Sequence, residues 1–218
     1  MPDLTLEDSV RQAAGDPKLV VCGLDEVGVG ALAGPVMAAA VALGEAKPWH
    51  AKINDSKVLS KKVRAELFEL ITKHEKYGLG VVFEDEIADW GLAAARERCI
   101  LLAYYALLLK LDGGPLGAVV DDRRLRVLRN RHPEWFNGGK AAFLDHADEK
   151  SLSVAAASIV AKEFRDNHMK EEANRFPQFG FASHMGYGTP QHIAALRKYG
   201  PCLIHRLAFL RKILGTGV

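Results

Sequence analysis

The chain is short of cysteine, of net charge and of long apolar runs, and each shortage excludes a class. Its three cysteines, Cys22, Cys99 and Cys202, lie far apart in 218 residues with no CxxC pair. That pattern favours free, buried thiols in a reducing cytoplasm over a disulfide scaffold or a thiolate zinc site. The longest apolar stretch, Cys99 to Leu111, includes two tyrosines and falls short of the ~20 residues a bilayer span requires. The start, MPDLTLEDSVRQ, is acidic and has no apolar core, so it does not read as a secretory signal. A formal charge of +2 gives no overall basic excess, and any nucleic-acid footprint must come from local clustering. There is no repeat and no low-complexity tract. What is present is a composition that is 49% hydrophobic, enough for a full core in one compact domain with a small appendage. The expected particle is a soluble, cytoplasmic protein without membrane contact, with a monomer as the default.

The pattern of elements is mixed. Residues Leu6 to Ala14 suit a short helix closed by Gly15 and Pro17. Lys18 to Leu24 reads as a strand that is apolar on both faces, and Pro35 to Leu43 as a second strand. Ser60 is an N-cap for a helix running to His74, with Val63, Leu67, Leu70 and Ile71 on one face. Tyr77 to Phe83 is strand-like, and a long helical stretch over Glu84 to Leu111 has an irregularity at Gly91 and a stop at Asp112 to Pro115. Leu116 to Val120 and Lys140 to Asp145 are further strands. A helix over Ser151 to Arg175 opens with the small residues Val154 to Ser158, which allow close packing on a sheet. The Gly-, Pro- and aromatic-rich tail ends in helical pieces over Pro190 to Tyr199 and Ile204 to Ile213. Between Arg123 and Gly139 a run of arginines with Trp135 and Phe136 reads either as a solvated turn with an aromatic tucked against the core or as a phosphate-contacting patch with an aromatic platform.

Carboxylates carry the chemistry. The first strand delivers Asp25 and Glu26 and the fourth delivers Asp121 and Asp122, while Asp148 precedes the small-residue helix. Acids at the ends of buried strands are costly unless something positive meets them. Three readings compete. Gly28-Val29-Gly30 with Gly34 makes a loose dinucleotide fingerprint with Asp55 as the ribose acid, but Asp25 and Glu26 would repel a pyrophosphate there. A P-loop is excluded, since no Lys-Ser/Thr follows the glycines. In the second reading the acids merely cap turns. In the third they hold Mg²⁺ or Mn²⁺, for which hard oxygen ligands without nearby His or Cys are suited. Two such ions ~4 Å apart activate a water and stabilise the leaving oxygen of a phosphodiester. A metal-dependent nuclease uses all the acids, and it is the preferred reading.

In order along the chain, LDEVGVGALAGPV, NDSKVLS, AVVDD, AASIVAKEFRD, GYGTPQH and IHRLAF resemble the signature blocks of ribonuclease HII, from about Leu19 to Leu214. The resemblance implies an α/β, RNase H-like fold in which a central mixed sheet is flanked by helices, with a catalytic domain over 1–175 and a C-terminal helical segment over 176–218. It also implies Mg²⁺- or Mn²⁺-dependent cleavage of the RNA strand of RNA/DNA hybrids, leaving 5′-phosphate and 3′-hydroxyl ends. Asp25, Glu26, Asp121 and Asp148 match the family's four acids, with Asp25 as the bridging ligand and Asp145 as the runner-up for the fourth position. Gly28, Val29 and Gly30 match its backbone cradle for the ribose 2′-hydroxyl, and Tyr187 the tyrosine that stacks on the sugar at the RNA-to-DNA junction. Lys57, Ser158 and Lys162 are candidates for phosphate contacts. His205 and Arg206 are read as holding the C-terminal segment in place, and His184 and His192 as structural.

The sequence also departs from the family pattern. Val29 stands where the family has the arginine of Gly-Arg-Gly, a feature that leans towards ribonuclease HIII, and Asp122 where glycine is usual. His146-Ala147 replaces a lysine-glycine, and the Arg123 to Gly139 loop is longer than the norm. These changes imply weak activity at single embedded ribonucleotides. The alternative from another class is a hybrid-binding protein with reduced catalysis, against which the intact acids argue.

Overall fold

The computed structural model describes residues 1–111, 116–136 and 140–215. A five-stranded mixed sheet has β1 (Val20–Val27) at its centre. β2 (Val36–Ala42) pairs antiparallel with β1, and β3 (Lys76–Val82) antiparallel with β2. On the other side β4 (Leu116–Asp121) pairs parallel with β1, and β5 (Ala141–Leu144) parallel with β4. The helices, in chain order, are α1 (Thr5–Ala14), α2 (Lys61–His74), α3 (Glu84–Trp90), α4 (Leu92–Lys110), α5 (Val127–Arg131), α6 (Pro133–Phe136), α7 (Leu152–Arg175), α8 (Phe181–His184), α9 (Pro190–Tyr199) and α10 (Leu207–Leu214).

Successive strand residues point to opposite faces, and each face has its own cover. Cys22 and Leu24 of β1, Ala38 and Ala40 of β2, and Ala118 and Val120 of β4 share a cluster with Cys99, Ala103 and Leu107 of α4. Ala39 and Val41 of β2 instead pack with Ala155 to Ala157 of α7 and Leu67 and Ile71 of α2. Small residues at the start of α7 do what the sequence promised. A Cβ on Gly23 would lie 2.1 Å from the backbone of Ser153 and Val154, so the first turn of the helix rests directly on the central strand.

That first turn is also fastened from the N-terminus of the chain. The Ser151 side chain caps α7 by accepting from the Val154 amide at 3.1 Å. The hydroxyls of Ser151 and Ser153 donate to Glu7 Oε1 at 2.6 and 2.5 Å, and the Ser153 amide donates to the same oxygen at 3.0 Å. Glu7 is buried, and its carboxylate meets the positive end of a 24-residue helix.

Several expectations change. The stretch from Glu84 is two helices rather than one, broken at Gly91 with φ +78°; its expected stop at 112–115 lies outside the described residues. The arginine-rich segment is largely helical, through a 3-10 turn at Arg123–Arg126 followed by α5 and α6. The aromatic tucked against the core is found, and two of the arginines are held by the protein itself. Phe136 is fully buried, Arg129 donates to the Ala141 carbonyl at 2.6 Å, and Arg131 pairs with Glu97. The last helix begins at Leu207 rather than Ile204, because His205 bridges to Ala33 and the Arg206 amide donates to the Leu32 carbonyl. Cys22 and Cys99 are buried free thiols, whereas Cys202 is only half-buried. Among the described residues no helix is long and apolar enough to cross a membrane.

Gly23→Ala tests the contact between β1 and α7. The added methyl meets backbone that cannot rotate away, so the cost should reach or exceed the top of the ~1–3 kcal/mol range for overpacking. Urea denaturation should show a lower midpoint; a loss well under ~1 kcal/mol would mean that α7 can lift from the sheet.

Candidate active site

The parallel register of β1 and β4 sets Leu24 beside Val120, so the residues that follow run alongside each other: Asp25 with Asp121, and Glu26 with Asp122. Alternation then separates the two pairs. Asp25 and Asp121 emerge on the α7 face, and Glu26 on the α4 face, where its carboxylate meets the same arginine as that of Asp122. The 3-10 turn Ala147–Glu149, between β5 and α7, adds Asp148 to the first pair. Carboxylate oxygens of Asp25, Asp121 and Asp148 all lie within 4.8 Å of one another. The four acids are therefore not one symmetric cluster. Three converge, and Glu26 turns towards α4 at the strand end while lining the same cleft beside them.

The convergent trio is short of positive charge. Asp25 accepts from the Glu26 amide at 2.8 Å and Asp121 from the Ala147 amide at 2.7 Å. Lys57 donates to Asp148 Oδ2 at 3.0 Å, but its side chain is 71% exposed, so water screens its contribution. Asp148 is 1% exposed, and its Oδ1 has no hydrogen-bond partner among the described residues. Burial pushes the Asp25 carboxyl well above the usual range, reinforced by the charges of Glu26, Asp121 and Asp148. Burial likewise raises Asp121. A buried, unpartnered acceptor beside carboxylates that resist ionisation is the environment that a hard divalent cation would relieve.

Glu26 and Asp122 have found a cation already. Arg96, from α4, donates through Nε to Glu26 Oε1 at 3.0 Å and through Nη2 to Asp122 Oδ2 at 2.5 Å. Asp122 reaches it from a backbone with φ +76°, a conformation easiest for glycine, and its contacts with Arg96 and Arg124 hold the aspartate there. Its side chain also accepts from the Arg124 amide at 2.8 Å and pairs with the Arg124 guanidinium. Sequence reasoning missed Arg96. The available signal was its spacing, because Arg96 falls on the stripe of α4 that carries the buried Cys99, Ile100, Ala103 and Leu107.

Asp25, Glu26, Asp121 and Asp122 line one cleft of about 1260 Å³, together with Val29, Lys57, Arg96, Ser158, Lys162 and Tyr187. Asp148 lies beneath its floor. Ser158 is buried with its hydroxyl 2.6 Å from that of Ser56, and Lys162 donates to Asp166 at 2.6 Å. Gly28 has φ +88°, and a Cβ there would meet Arg165 Nε at 2.2 Å, whereas Gly30 faces open space. Asp145 sits at the rim, paired with Arg123 at 2.6 Å and outside the trio. Asp55 caps the Lys57 amide at 2.9 Å. The glycine turn leads into β2, not into a helix, which removes the dinucleotide reading. His192 lies 3.0 Å from His205 and stacks on His184 in the tail, so these rings serve packing.

Comparison with known proteins bears on the family and the fold. The sequence model of the family described as Ribonuclease HII matches residues 22–212. The chain is 42% identical to the ribonuclease HII of Erythrobacter litoralis over 87% of its own length and 86% of the relative's. It is 40% identical to that of Ruminiclostridium cellulolyticum, over 94% and 75%. Among solved structures it resembles the ribonuclease HII of Archaeoglobus fulgidus seen in a complex with PCNA, with TM-score 0.70 and 26% identity over 87% of this chain and 94% of that one. The fold also matches a ribonuclease HIII in complex with Mn²⁺, with TM-score 0.67 and 20% identity over 93% and 71%.

The raised Asp25 carboxyl makes a prediction about stability. A carboxyl whose folded pKa lies above its unfolded value, near ~3.9, loses folding stability as pH rises through that interval. Near neutral pH Asp25→Asn should therefore melt a few degrees higher than the parent chain without metal. Added Mn²⁺ should raise the melting temperature of the parent and leave the variant nearly unmoved.

Proposed function

Because the chain belongs to the ribonuclease HII family, we propose that it is a metal-dependent endoribonuclease that hydrolyses the RNA strand of RNA/DNA hybrids to 5′-phosphate and 3′-hydroxyl ends. The observation that carries this reading is the trio Asp25, Asp121 and Asp148, with the unpartnered Asp148 Oδ1 at its base. These three, with Glu26 beside them, are the residues that would hold Mg²⁺ or Mn²⁺. The bound ions would supply an activated water and neutralise charge at the leaving oxygen, as in a two-metal displacement.

The remaining residues bind and orient. Lys57 at the cleft wall places an ammonium beside Asp148, available to a backbone phosphate once a divalent ion takes over its carboxylate. Lys162 and the Ser56–Ser158 pair lie along the same wall. Tyr187 stands in the cleft with the Arg165 guanidinium 5.4 Å from its ring centre, a rigid platform for a sugar. Open space around Gly30 lets backbone approach a ribose 2′-hydroxyl, the group that distinguishes RNA from DNA.

Incubation with labelled hybrid should give cleavage in Mg²⁺ or Mn²⁺ and none in EDTA. Asp25→Asn and Asp148→Asn should abolish it, while Asp145→Asn, altered only at the rim, should keep most of it. Cleavage that persists in chelator would overturn the metal assignment.

Val29 sets the expected substrate range. Its side chain lines the cleft and packs against the core on the α4 side, and it offers no hydrogen-bond donor to a phosphate. Hybrids with several consecutive ribonucleotides should be cut well, and a single ribonucleotide in duplex DNA weakly. Val29→Arg should improve the second more than the first; equal cutting of both substrates by the parent chain would refute this.

A further inference from the structure

Among the charged groups of the cleft, one ion-pair network has no part in the reading so far. Arg96 has a side chain only 13% exposed, between a Glu26 side chain at 8% and an Asp122 side chain at 11%. Both carboxylates converge on one guanidinium, which a planar fork of donors permits and a lysine ammonium on a flexible stem does not reproduce. The bridge consumes Glu26 Oε1. Glu26 Oε2 stays buried and without a partner. Asp122 is itself held from outside by Arg124, whose side chain is 84% exposed. The chain thus runs Arg124, Asp122, Arg96, Glu26, from the cleft rim to the edge of the acidic trio.

We propose that Arg96 is a positioning residue for the reaction: by bridging Glu26 and Asp122 it fixes the Glu26 carboxylate with one oxygen occupied, leaving Oε2 as the sole atom it can offer a divalent ion. The inference rests on the metal-dependent reading above and assigns to that site a supporting pair, Arg96 and Asp122. Its physical content is geometric. Partners that lock the orientation of a metal-binding carboxylate contribute to affinity without touching the ion.

The decisive variant is Arg96→Lys, which preserves charge and removes the fork. Calorimetric titration of the full chain with Mn²⁺ alone should show binding weakened by roughly 10–100-fold, the usual effect of losing such a partner. Hybrid cleavage should fall at limiting Mn²⁺ and recover as Mn²⁺ is raised, with KM for the hybrid unchanged. In a Glu26→Gln background the Arg96→Lys effect on Mn²⁺ affinity should vanish, since the residue acts through Glu26. Asp122→Asn, which tolerates the same positive φ, should weaken binding in the same direction and serves if Arg96→Lys fails to fold. Unchanged Mn²⁺ affinity in whichever of the two variants folds, or an Arg96→Lys loss that persists undiminished in the Glu26→Gln background, overturns the inference alone. Absence of any Mn²⁺ binding by the parent chain overturns the metal reading together with it.

Discussion

Strand alternation beside a parallel neighbour is the constraint on which the site depends. Two adjacent acids on one strand cannot serve one face, because successive side chains diverge. Two such strands in parallel register, as β1 and β4 are, generate two carboxylate pairs back to back. Each needs its own source of positive charge. On the α4 face that source is Arg96, delivered by a helix that the sheet must pack anyway. On the α7 face the corresponding helix begins with small residues and brings Asp148, a further acid, instead of a cation.

This asymmetry directs a cation to one side. Arg96 is nearly enclosed, so its attraction for Glu26 and Asp122 acts with little screening, and Asp122 is held below the usual carboxylate range by it and Arg124 despite burial. Lys57 is mostly solvated, and Asp25 remains well above that range. Burial leaves Glu26 raised as well, despite Arg96, but among the described residues the trio has no comparably enclosed cation, and a divalent ion there would meet carboxylates with little other compensation. The fold offsets the mutual repulsion of these carboxylates through fixed contacts elsewhere: Gly23 against the start of α7, and Glu7 against the same helix end. Those contacts hold Asp148 in place when the carboxylates would otherwise push the strand ends and the helix apart.

Much of this was legible in the sequence because its causes are local. Acid pairs after apolar runs located Asp25, Glu26, Asp121 and Asp122, and the small-residue run foretold the close approach of α7. The faces were not read, because which carboxylates meet depends on the register between strands almost a hundred residues apart. Arg96 escaped for a related reason. An arginine in Ala-Ala-Ala-Arg-Glu-Arg reads as a solvated helix residue, and only the burial of Cys99, Ile100 and Ala103 on the same stripe shows it turned inward. The helical form of the arginine-rich segment was masked by its charge, although buried Leu125, Leu128 and Phe136 at spacings of three and eight carry it.

The glycine turn joins these acids to the tail, and its electrostatics offset part of what Val29 lacks. Arg165 donates to the carbonyls of Pro35, Ala33 and Met185, and Arg206 to those of Gly34 and Val29. Both arginines are fully buried, and among the described residues neither forms an ion pair with a carboxylate. Burial draws the Arg165 guanidinium below its ordinary value, and burial with the neighbouring Arg165 charge brings Arg206 down to about 10. Their charges are met by backbone carbonyls and by the rings of Tyr187 and Phe209 rather than by carboxylates, so most of their field is left unneutralised. That field lies beneath the turn that faces the cleft, opposite in sign to the trio. The two guanidiniums therefore stand against the backbone of the Gly28 to Gly34 turn, so an anion at that turn would meet positive charge although Val29 carries none.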